Sequence, residues 1–413
     1  MQTKNKIYII DVTNRDGVQT SRLGLAKLQK TMINLYLNEI GVYQSEFGFP
    51  ATKHESNYLS ANLELAKIGV LKPIILSGWI RAIEKDVATA FARVKNIEHL
   101  NVSISTSEQM TNSKFQGRFS RDDIIKMMID SVVLAKKKGA VTVGVNAEDA
   151  SRTDMEFLIK FAMAAKEYGA NRIRYCDTLG YDSPHTIYER IKELAIAVNL
   201  PIELHCHNDL GMAVACSIAG AKGAIDGGVD AYINTTINGM GERAGNADLI
   251  SCILAIKYAS GISGEYSLDD RIDLSKAWKI TKYASYAFNV PIPINQPGVG
   301  DNAFAHESGI HVDGALKNHR NYELYDFSEL GRGEPEIVET GRMITIGEYS
   351  GIKGVRNVYE KLEVKFNTQK EGEKILELCR YANVHTQKPL VVDELRFIAK
   401  YPEIARKLMI VTP

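Results

Sequence analysis

The stretch "PIELHCHNDLG" (residues 201–211) brings together two histidines, His205 and His207, separated by a single residue. Alternate residues of a β-strand point to the same face, so the two imidazoles would lie side by side if this stretch is a strand. Two imidazoles with a nearby carboxylate form a common mononuclear metal site. The alternative is a pair of ordinary core or surface histidines. Cys206, between them, would point to the opposite face and pack as a small buried hydrophobic residue.

The histidine pair belongs to the seventh of eight short runs rich in β-branched residues. The runs occupy residues 7–11, 43–49, 73–80, 100–106, 141–147, 171–177, 202–207 and 231–237. Amphipathic segments between them predict helices. Eight strand–helix units in about 260 residues match the count and length of a (β/α)₈ TIM barrel, an α/β fold. An open doubly wound sheet is the alternative. A dinucleotide-binding sheet of that kind has a GxGxxG loop after its first strand, and no such loop follows the first run here.

The alternation of strands and helices stops after Gly261. The Pro/Gly-rich stretch "PIPINQPGVGDN" has the composition of a linker, and further helical patterns follow it. We therefore predict a TIM-barrel catalytic domain over residues 1–270. Residues 271–413 are predicted to form a linker and a C-terminal, mostly helical appendage.

In TIM barrels the chemistry occurs at the carboxyl ends of the strands. Asp16 follows the first predicted strand and Asn246 follows the eighth. Asp16 would add a carboxylate to His205 and His207, and Asn246 could add an amide oxygen. Such a mixed nitrogen and oxygen set suits Mg²⁺, Mn²⁺ or Zn²⁺ without choosing among them.

Arg15, next to Asp16, has two interpretations. One is a surface ion pair in a turn. The other is a guanidinium beside a bound metal, where it would polarise a carbonyl and stabilise the negative charge that forms there. Arg81 and Arg174 are candidates for pairing with a substrate carboxylate. Arg174 falls in the middle of a predicted strand, however, where a structural ion pair is an equal alternative.

The overall composition excludes several classes of function. The 413 residues include 50 Lys+Arg and 50 Asp+Glu, so the formal net charge is zero, and no field attracts nucleic acid or an anionic membrane. No apolar run is long enough to span a bilayer, and the N-terminus lacks the apolar core of a secretory signal. The five cysteines are scattered, with no CxxC spacing. We expect a cytoplasmic protein without nucleic-acid or membrane partners.

Six motifs occur in a fixed order: "DVTNRDGVQ", "GVNAEDASRTD", "RYCDTLG", "ELHCHNDLGMAVA", "NTTINGMGERAGNADL" and "HESGIHVDG". Together they resemble the DRE-TIM metallolyase superfamily, and in particular its Claisen-condensing branch of isopropylmalate, citramalate, homocitrate and Re-citrate synthases. The resemblance spans roughly residues 7–350. It implies a (β/α)₈ barrel in which acetyl-CoA is condensed with a 2-oxo acid at a divalent metal (Mn²⁺, Mg²⁺ or Zn²⁺). Hydrolysis of the thioester then releases CoA.

The resemblance also implies residue roles. The residues that match the family's metal site are Asp16, His205, His207 and Asn246. Arg15 would polarise the keto oxygen, and Glu148 would help to position the reacting groups. His311, in "HESGIH", matches a catalytic histidine that reaches the partner's barrel in a domain-swapped homodimer, although the motif alone also fits a surface loop or a second metal site. The predicted substrate-binding residues are Arg15, Gln19, His54, Arg81, Ser105 and Thr178.

The substrate is predicted from the loop after the second strand and from the opening motif. His54 and Glu55, with Arg81 nearby, favour a dicarboxylic 2-oxo acid. "VTNRDGVQTSR" resembles Re-citrate synthases and favours oxaloacetate, giving citrate, whereas "HESGIHVDG" resembles homocitrate synthases, which use 2-oxoglutarate. Val18 and "GEYSG" (residues 347–351) replace a glutamate and a "GKHSG" that are usual in the family. A lyase or aldolase of the same superfamily and a non-catalytic metal-binding scaffold are the remaining alternatives.

Overall fold

The computed structural model describes residues 5–333 and 345–411. Its central feature is a closed ring of eight parallel strands, in which each strand pairs with the next and β1 pairs with both β8 and β2. The strands are β1 (Lys6–Asp11), β2 (Gln44–Gly48), β3 (Ile75–Arg81), β4 (His99–Ser105), β5 (Thr142–Glu148), β6 (Arg172–Asp177), β7 (Ile202–Cys206) and β8 (Ala231–Thr235). The ring confirms the predicted TIM barrel and excludes the open sheet. A short strand, β9 (Ser267–Leu268), pairs with the start of β1.

Helices connect the strands and surround the barrel. Those of the barrel region are α1 (Lys27–Glu39), α2 (Ser56–Lys67), α3 (Glu84–Arg93), α4 (Glu108–Ser113), α5 (Arg121–Lys137), α6 (Met155–Glu167), α7 (Pro184–Val198), α8 (Ala213–Asp226) and α9 (Leu249–Tyr258). Those that follow are α10 (Ala277–Phe288), α11 (Gly309–Lys317), α12 (Ile352–Lys361), α13 (Gln369–Thr386), α14 (Val392–Lys400) and α15 (Pro402–Met409). In the part of the chain that the structure describes, no helix is both long and apolar enough to cross a membrane.

Both faces of the strands are buried, but only the helix-facing side chains are consistently apolar, as on β6, where Ile173 and Tyr175 alternate with Arg172 and Arg174. On β1, Ile7 and Ile9 belong to the large core between the barrel and its helices. Ile10 and Val12 belong instead to a small separate cluster with Tyr232 of β8. This alternation along β1 fixes which side chains point into the barrel.

The middle of the barrel is polar, although TIM barrels usually fill this space with branched apolar side chains. Arg174 on β6 lies between Glu46 on β2 and Glu203 on β7, with N···O distances of 2.7 and 2.5 Å. Asn101 and Asn234 each donate a further hydrogen bond of 2.6 Å, to Glu46 and to Glu203 respectively. The network connects five strands directly beneath the barrel mouth and leaves each buried carboxylate paired.

Replacing Arg174 by methionine is expected to lower the free energy of unfolding by about 3–5 kcal/mol, because Glu46 and Glu203 would stay buried after losing the cation that lies between them. Arg81→Met offers a matched control. Arg81, the last residue of β3, also forms an ion pair, with Asp86, but its side chain is 64% exposed. Arg81→Met is therefore expected to lower the free energy of unfolding by no more than about 1 kcal/mol. Urea unfolding followed by circular dichroism measures both. Equal losses of unfolding free energy in the two variants would contradict a large contribution of the buried network to stability.

The C-terminal region is mostly helical, as predicted, and part of it packs on the barrel of the same chain. α13 and α15 contact α1, and α15 contacts α2. Tyr36 on α1 donates a hydrogen bond to Asp393 at 2.9 Å, and Tyr283 on α10 donates one to the buried Glu394 at 2.8 Å. The predicted boundary at residues 270 and 271 and the predicted reach towards a partner stay predictions.

That segment contains α11, which has no buried residue. Ile310 and Leu316 on α11 are 75% and 84% exposed, and Leu324 beyond it is 66% exposed. The described part of this segment therefore presents large apolar side chains to solvent.

Candidate active site

Three buried side chains, Asp16, His205 and His207, converge at the carboxyl-terminal mouth of the barrel. Asp16 lies in the turn after β1, His205 lies on β7 and His207 directly follows β7. The Nε2 atoms of His205 and His207 are 3.2 and 3.7 Å from Asp16 Oδ2, and the three candidate ligand atoms all lie within 4.8 Å of one another. Two imidazole nitrogens and a carboxylate oxygen at this spacing fit a divalent metal.

The protonation states of the cluster also suit a metal. Burial lowers the pKa of both histidines, and the pKa of His207 falls to about 3 with His205 beside it. Burial alone would raise the pKa of Asp16, but the Arg15 guanidinium and the two histidines hold it well below its usual range. Neutral imidazoles and an ionised carboxylate are the forms in which these groups bind metal.

Asn246 contacts the cluster through Asp16. Its Nδ2 donates to Asp16 Oδ2 at 3.0 Å, and its Oδ1 has no hydrogen-bond partner among the described residues. Oδ1 lies against Gly241, where a Cβ atom would approach it to 1.9 Å, so a side chain at this position would displace the amide. In this orientation the amide nitrogen faces the cluster, and direct ligation would require a rotation of about 180° about the terminal bond.

Cys206 points away from its two histidine neighbours, as predicted. It is buried in the core between the barrel and its helices. Burial raises the pKa of its thiol well above the usual value. A protonated thiol on the helix-facing side of β7 is neither a metal ligand nor a nucleophile for the barrel mouth.

The cluster forms one wall of a cavity of about 220 Å³. The residues assigned a role from the sequence that line this cavity are Arg15, Asp16, Gln19, Glu148, Thr178, His205 and His207. Those that line it without such a role include Phe49, Trp79, Ser103, Asn146 and Cys176. The predicted site residues therefore meet in one cavity for the most part.

Arg15 is held at the cavity by two carboxylates. Its Nε donates to Glu46 Oε1 at 2.5 Å, and its Nη1 lies 3.3 Å from Asp16 Oδ1. Burial would raise the pKa of Glu46, but Arg174 and Arg15 lower it to about 2, so Glu46 stays ionised and keeps hold of Arg15. The remaining guanidinium donors of Arg15 are thus presented beside the metal cluster.

Arg174 lines the same cavity, but its five N–H donors are all engaged. Its Nε donates to Glu203, and its Nη2 contacts both Glu46 and Glu203. Its Nη1 donates to Glu46 at 3.3 Å and, in the amide orientation that satisfies both neighbours, to Asn146 at 3.2 Å. Of the two interpretations that the sequence left open, the structural ion pair is the one observed.

Glu148, at the end of β5, is held by Lys114 and Ser105. Lys114 Nζ lies 2.8 and 2.6 Å from the two carboxylate oxygens, and Ser105 Oγ donates to Glu148 at 2.5 Å. Ser105, predicted to bind substrate, thus contacts Glu148 and does not line the cavity. This clamp fixes the direction in which the Glu148 carboxylate faces.

Thr178, after β6, has an oriented hydroxyl group. Its Oγ1 accepts a hydrogen bond of 2.9 Å from the backbone N–H of Asp149. Asp149 adopts a left-handed backbone with φ of 64°, and its carboxylate is bound by Arg152 and Ser107. Because Oγ1 already accepts one bond here, its own proton is available for an oxygen atom in the cavity.

Comparison with known proteins agrees with this geometry. The HMGL-like family model matches residues 6–283, and the model described as homocitrate synthase post-HMGL domain-like matches residues 299–385. The chain belongs to the HMGL-like family. It is 64% identical to a citrate (Re)-synthase from Dehalococcoides mccartyi over 99% of each chain, and 34% identical to homocitrate synthase 1 from Nostoc sp. over 96% of this chain and 97% of that relative. The resemblance drawn from the six motifs is thereby confirmed.

The fold of this HMGL-like chain also occurs among solved structures. An HMG-CoA lyase from Bacillus subtilis matches with a TM-score of 0.57 at 18% identity, covering 71% of this chain and 97% of the lyase. At this level of identity the match supports the barrel architecture alone.

Besides Ser105, two predicted substrate residues of the HMGL-like chain lie outside the cavity lining. His54 is exposed in the turn between β2 and α2. Arg81, at the end of β3, donates to both carboxylate oxygens of Asp86 at 2.7 and 2.9 Å. Its side chain is therefore directed towards the first turn of α3, whose acidic residues attract it.

His311 also lies apart from the cavity lining. It is exposed on α11 and stacks on Tyr322, with a distance of 4.2 Å between ring centroids. His306 nearby pairs with Glu323 at 3.0 Å. The predicted catalytic role of His311 stays a prediction.

Sequence reasoning missed three residues of the site in this HMGL-like chain: Glu203, Lys114 and Trp79. Glu203 had a usable signal, because it lies two residues before His205 and so shares its face of β7. Lys114 and Trp79 had none, because their contacts depend on how distant segments meet across the barrel mouth.

Proposed function

We propose that this chain catalyses the condensation of acetyl-CoA with oxaloacetate and releases citrate and CoA. The observation that carries the proposal is the Asp16–His205–His207 cluster with Arg15 beside it, in a chain 64% identical to a citrate (Re)-synthase. A metal site with an adjacent guanidinium suits the activation of a 2-oxo acid. The 2-oxo acid and acetyl-CoA are its small-molecule partners.

The charge balance inside the barrel supports a dicarboxylic 2-oxo acid. Three arginines and three acids are buried there and cancel: Arg15, Arg172, Arg174, Asp16, Glu46 and Glu203. A divalent cation adds two positive charges to this cavity. A dicarboxylate brings two negative charges, whereas pyruvate or 2-oxoisovalerate brings one and leaves a buried charge uncompensated.

The chain's own residues have clear tasks in this reaction. A divalent cation, when bound, supplies Lewis-acid polarisation of a keto group. Arg15 donates hydrogen bonds to the keto oxygen, where negative charge grows as the new carbon–carbon bond forms. Thr178 donates a hydrogen bond from its hydroxyl group to a substrate carboxylate, and Glu148 orients the acetyl thioester.

A base must remove a proton from the methyl group of acetyl-CoA before the carbon attacks the keto carbon. The new alkoxide then takes up a proton, and water cleaves the thioester, so that acetyl-CoA, oxaloacetate and water give citrate and CoA. We assign the proton abstraction to His311 of a second copy of the chain in a domain-swapped homodimer. The exposed apolar side chains around His311 support this assignment, since burial against another barrel would remove them from water. The five cysteines, all buried as free thiols, agree with a reducing, cytoplasmic location.

Thiol release from acetyl-CoA tests the proposal. The assay contains Mn²⁺ and one of four 2-oxo acids: oxaloacetate, 2-oxoglutarate, pyruvate or 2-oxoisovalerate. We expect oxaloacetate to give the highest kcat/KM by at least about tenfold. A preference for 2-oxoglutarate would make the chain a homocitrate synthase. No thiol release with any of the four would exclude condensation and leave a lyase of the same superfamily.

A further inference from the structure

The wall of the cavity opposite the metal cluster has no assigned role. In the closed ring of eight strands, three strands separate β3 from β7 in either direction, so β3 stands across the barrel from the two histidines. A 2-oxo acid that is anchored beside His205 and Asp16 and extends across the barrel mouth brings its far end to β3. The side chain that meets it there is Trp79, which lines the cavity from β3.

Three contacts hold the Trp79 ring in one position. Phe49 packs edge-on against it, with 5.8 Å between ring centroids and an interplanar angle of 79°. The Arg15 guanidinium lies 5.9 Å from its centre. Its Nε1 donates to Asn146 Oδ1 at 3.2 Å in the same amide orientation that satisfies Arg174. Because Phe49, Arg15 and Asn146 all restrain the ring, it forms a rigid wall of the cavity. A longer substrate could displace it only at a considerable cost in free energy.

The polar groups next to this wall suit the second carboxylate of a short substrate. Ser103 and Asn146 line the cavity beside Trp79. The oxygen of the Asn146 amide is occupied by Trp79 and Arg174, so its NH₂ group is left to donate. We propose that Trp79 sets the length of the 2-oxo acid by closing the cavity behind a four-carbon dicarboxylate, whose second carboxylate binds Ser103 and Asn146. This inference rests on the proposed condensation with oxaloacetate.

The test compares two substrates that differ by one methylene group. Oxaloacetate and 2-oxoglutarate are assayed by thiol release with wild-type protein, Trp79→Phe and Trp79→Leu. A single methylene in a fitted cavity changes discrimination by about 10- to 200-fold. We expect the ratio of kcat/KM for 2-oxoglutarate to that for oxaloacetate to rise at least about tenfold in Trp79→Leu and less in Trp79→Phe. General damage lowers both rates together and leaves the ratio unchanged.

The chain provides a matched control, because its only other tryptophan, Trp278, lies on α10 outside the cavity. Trp278 contacts Lys282 and Arg332, with the cations 5.0 and 4.6 Å from the ring centre. Trp278→Leu removes the same side chain and should leave the substrate ratio at the wild-type value. A change below about threefold in both Trp79 variants, with oxaloacetate still turned over by the wild-type protein, overturns the inference and leaves the proposed function standing. Absence of oxaloacetate turnover in the wild-type protein overturns the proposed function itself.

Fluorescence gives a second readout that does not depend on activity. Trp278→Phe leaves Trp79 as the single tryptophan. Addition of oxaloacetate with Mn²⁺, without acetyl-CoA, should then change the emission with a midpoint that follows the KM for oxaloacetate. Trp79→Phe, which retains only Trp278, should give no change. An unchanged emission of Trp79 at oxaloacetate concentrations that saturate turnover contradicts its position at the end of the substrate.

Discussion

Replacing Asp16 by asparagine is expected to lower the affinity for Mn²⁺ by more than about 100-fold and to remove nearly all thiol release. Groups that merely support a metal ligand already account for about 10- to 100-fold in affinity, and Asp16 is the anionic member of the cluster itself. The substitution preserves size, so the site should keep its shape. Calorimetric Mn²⁺ titration measures the affinity, and thiol release with oxaloacetate measures the activity.

The same substitution at Asp230 is the control. Asp230 lies at the amino-terminal end of the barrel, where it accepts a hydrogen bond of 2.9 Å from the Lys6 backbone. Asp230→Asn should bind Mn²⁺ as the wild-type protein does. Treatment of the wild-type protein with a chelator should reproduce the Asp16→Asn activity loss, and added Mn²⁺ should reverse it. Normal Mn²⁺ binding by Asp16→Asn would show that the metal is held elsewhere.

The fold was predictable because its strands carry a strong local signal. The run at residues 100–106 corresponds to β4 (His99–Ser105), and the run at residues 231–237 corresponds to β8 (Ala231–Thr235). Parallel strands of a barrel must carry apolar side chains on the face that packs against the helices, and helices must separate the strands along the chain. A pattern with two such constraints leaves few alternative architectures.

The metal cluster was predictable for a similar reason. The spacing of His205 and His207 places both on one face of a strand, and the carboxyl ends of all barrel strands meet at one mouth. Asp16 therefore had to lie near them. Arg174 was not predictable, because the choice between substrate and structural partner depends on Glu46 and Glu203, which reach it from two other strands.

Arg81 and His54 reveal the limit of reading polarity along a loop. Arg81 ends β3, His54 follows β2, and both carry groups that suit a carboxylate, yet neither lines the cavity. Arg81 is drawn to Asp86, five residues away on α3, and this local pairing fixes a direction that its position on β3 does not. Side-chain direction beyond the rim of the barrel depends on neighbouring charges as much as on strand register.

Hybrid dimers are expected to recover activity from two inactive variants, if the catalytic centre combines residues of two chains. Arg15→Leu and His311→Ala should each lower kcat by about 100-fold or more. In a domain-swapped dimer of one variant with the other, one of the two sites contains both defects and the second contains neither. Co-expression with two affinity tags allows the hybrid to be isolated. Its thiol release should reach about half of the wild-type rate.

The control combines two variants that each carry their defect in the barrel. A hybrid of Arg15→Leu with Asp16→Asn has one damaged barrel in each site, so it should stay inactive whatever the arrangement of the appendages. Recovery in the first hybrid and not in the second follows only if His311 acts on the barrel of the other chain. If each chain used its own His311, both sites of either hybrid would carry a defect, and neither would regain activity. The exposure of α11 and the absence of His311 from its own chain's cavity lining both favour the first result.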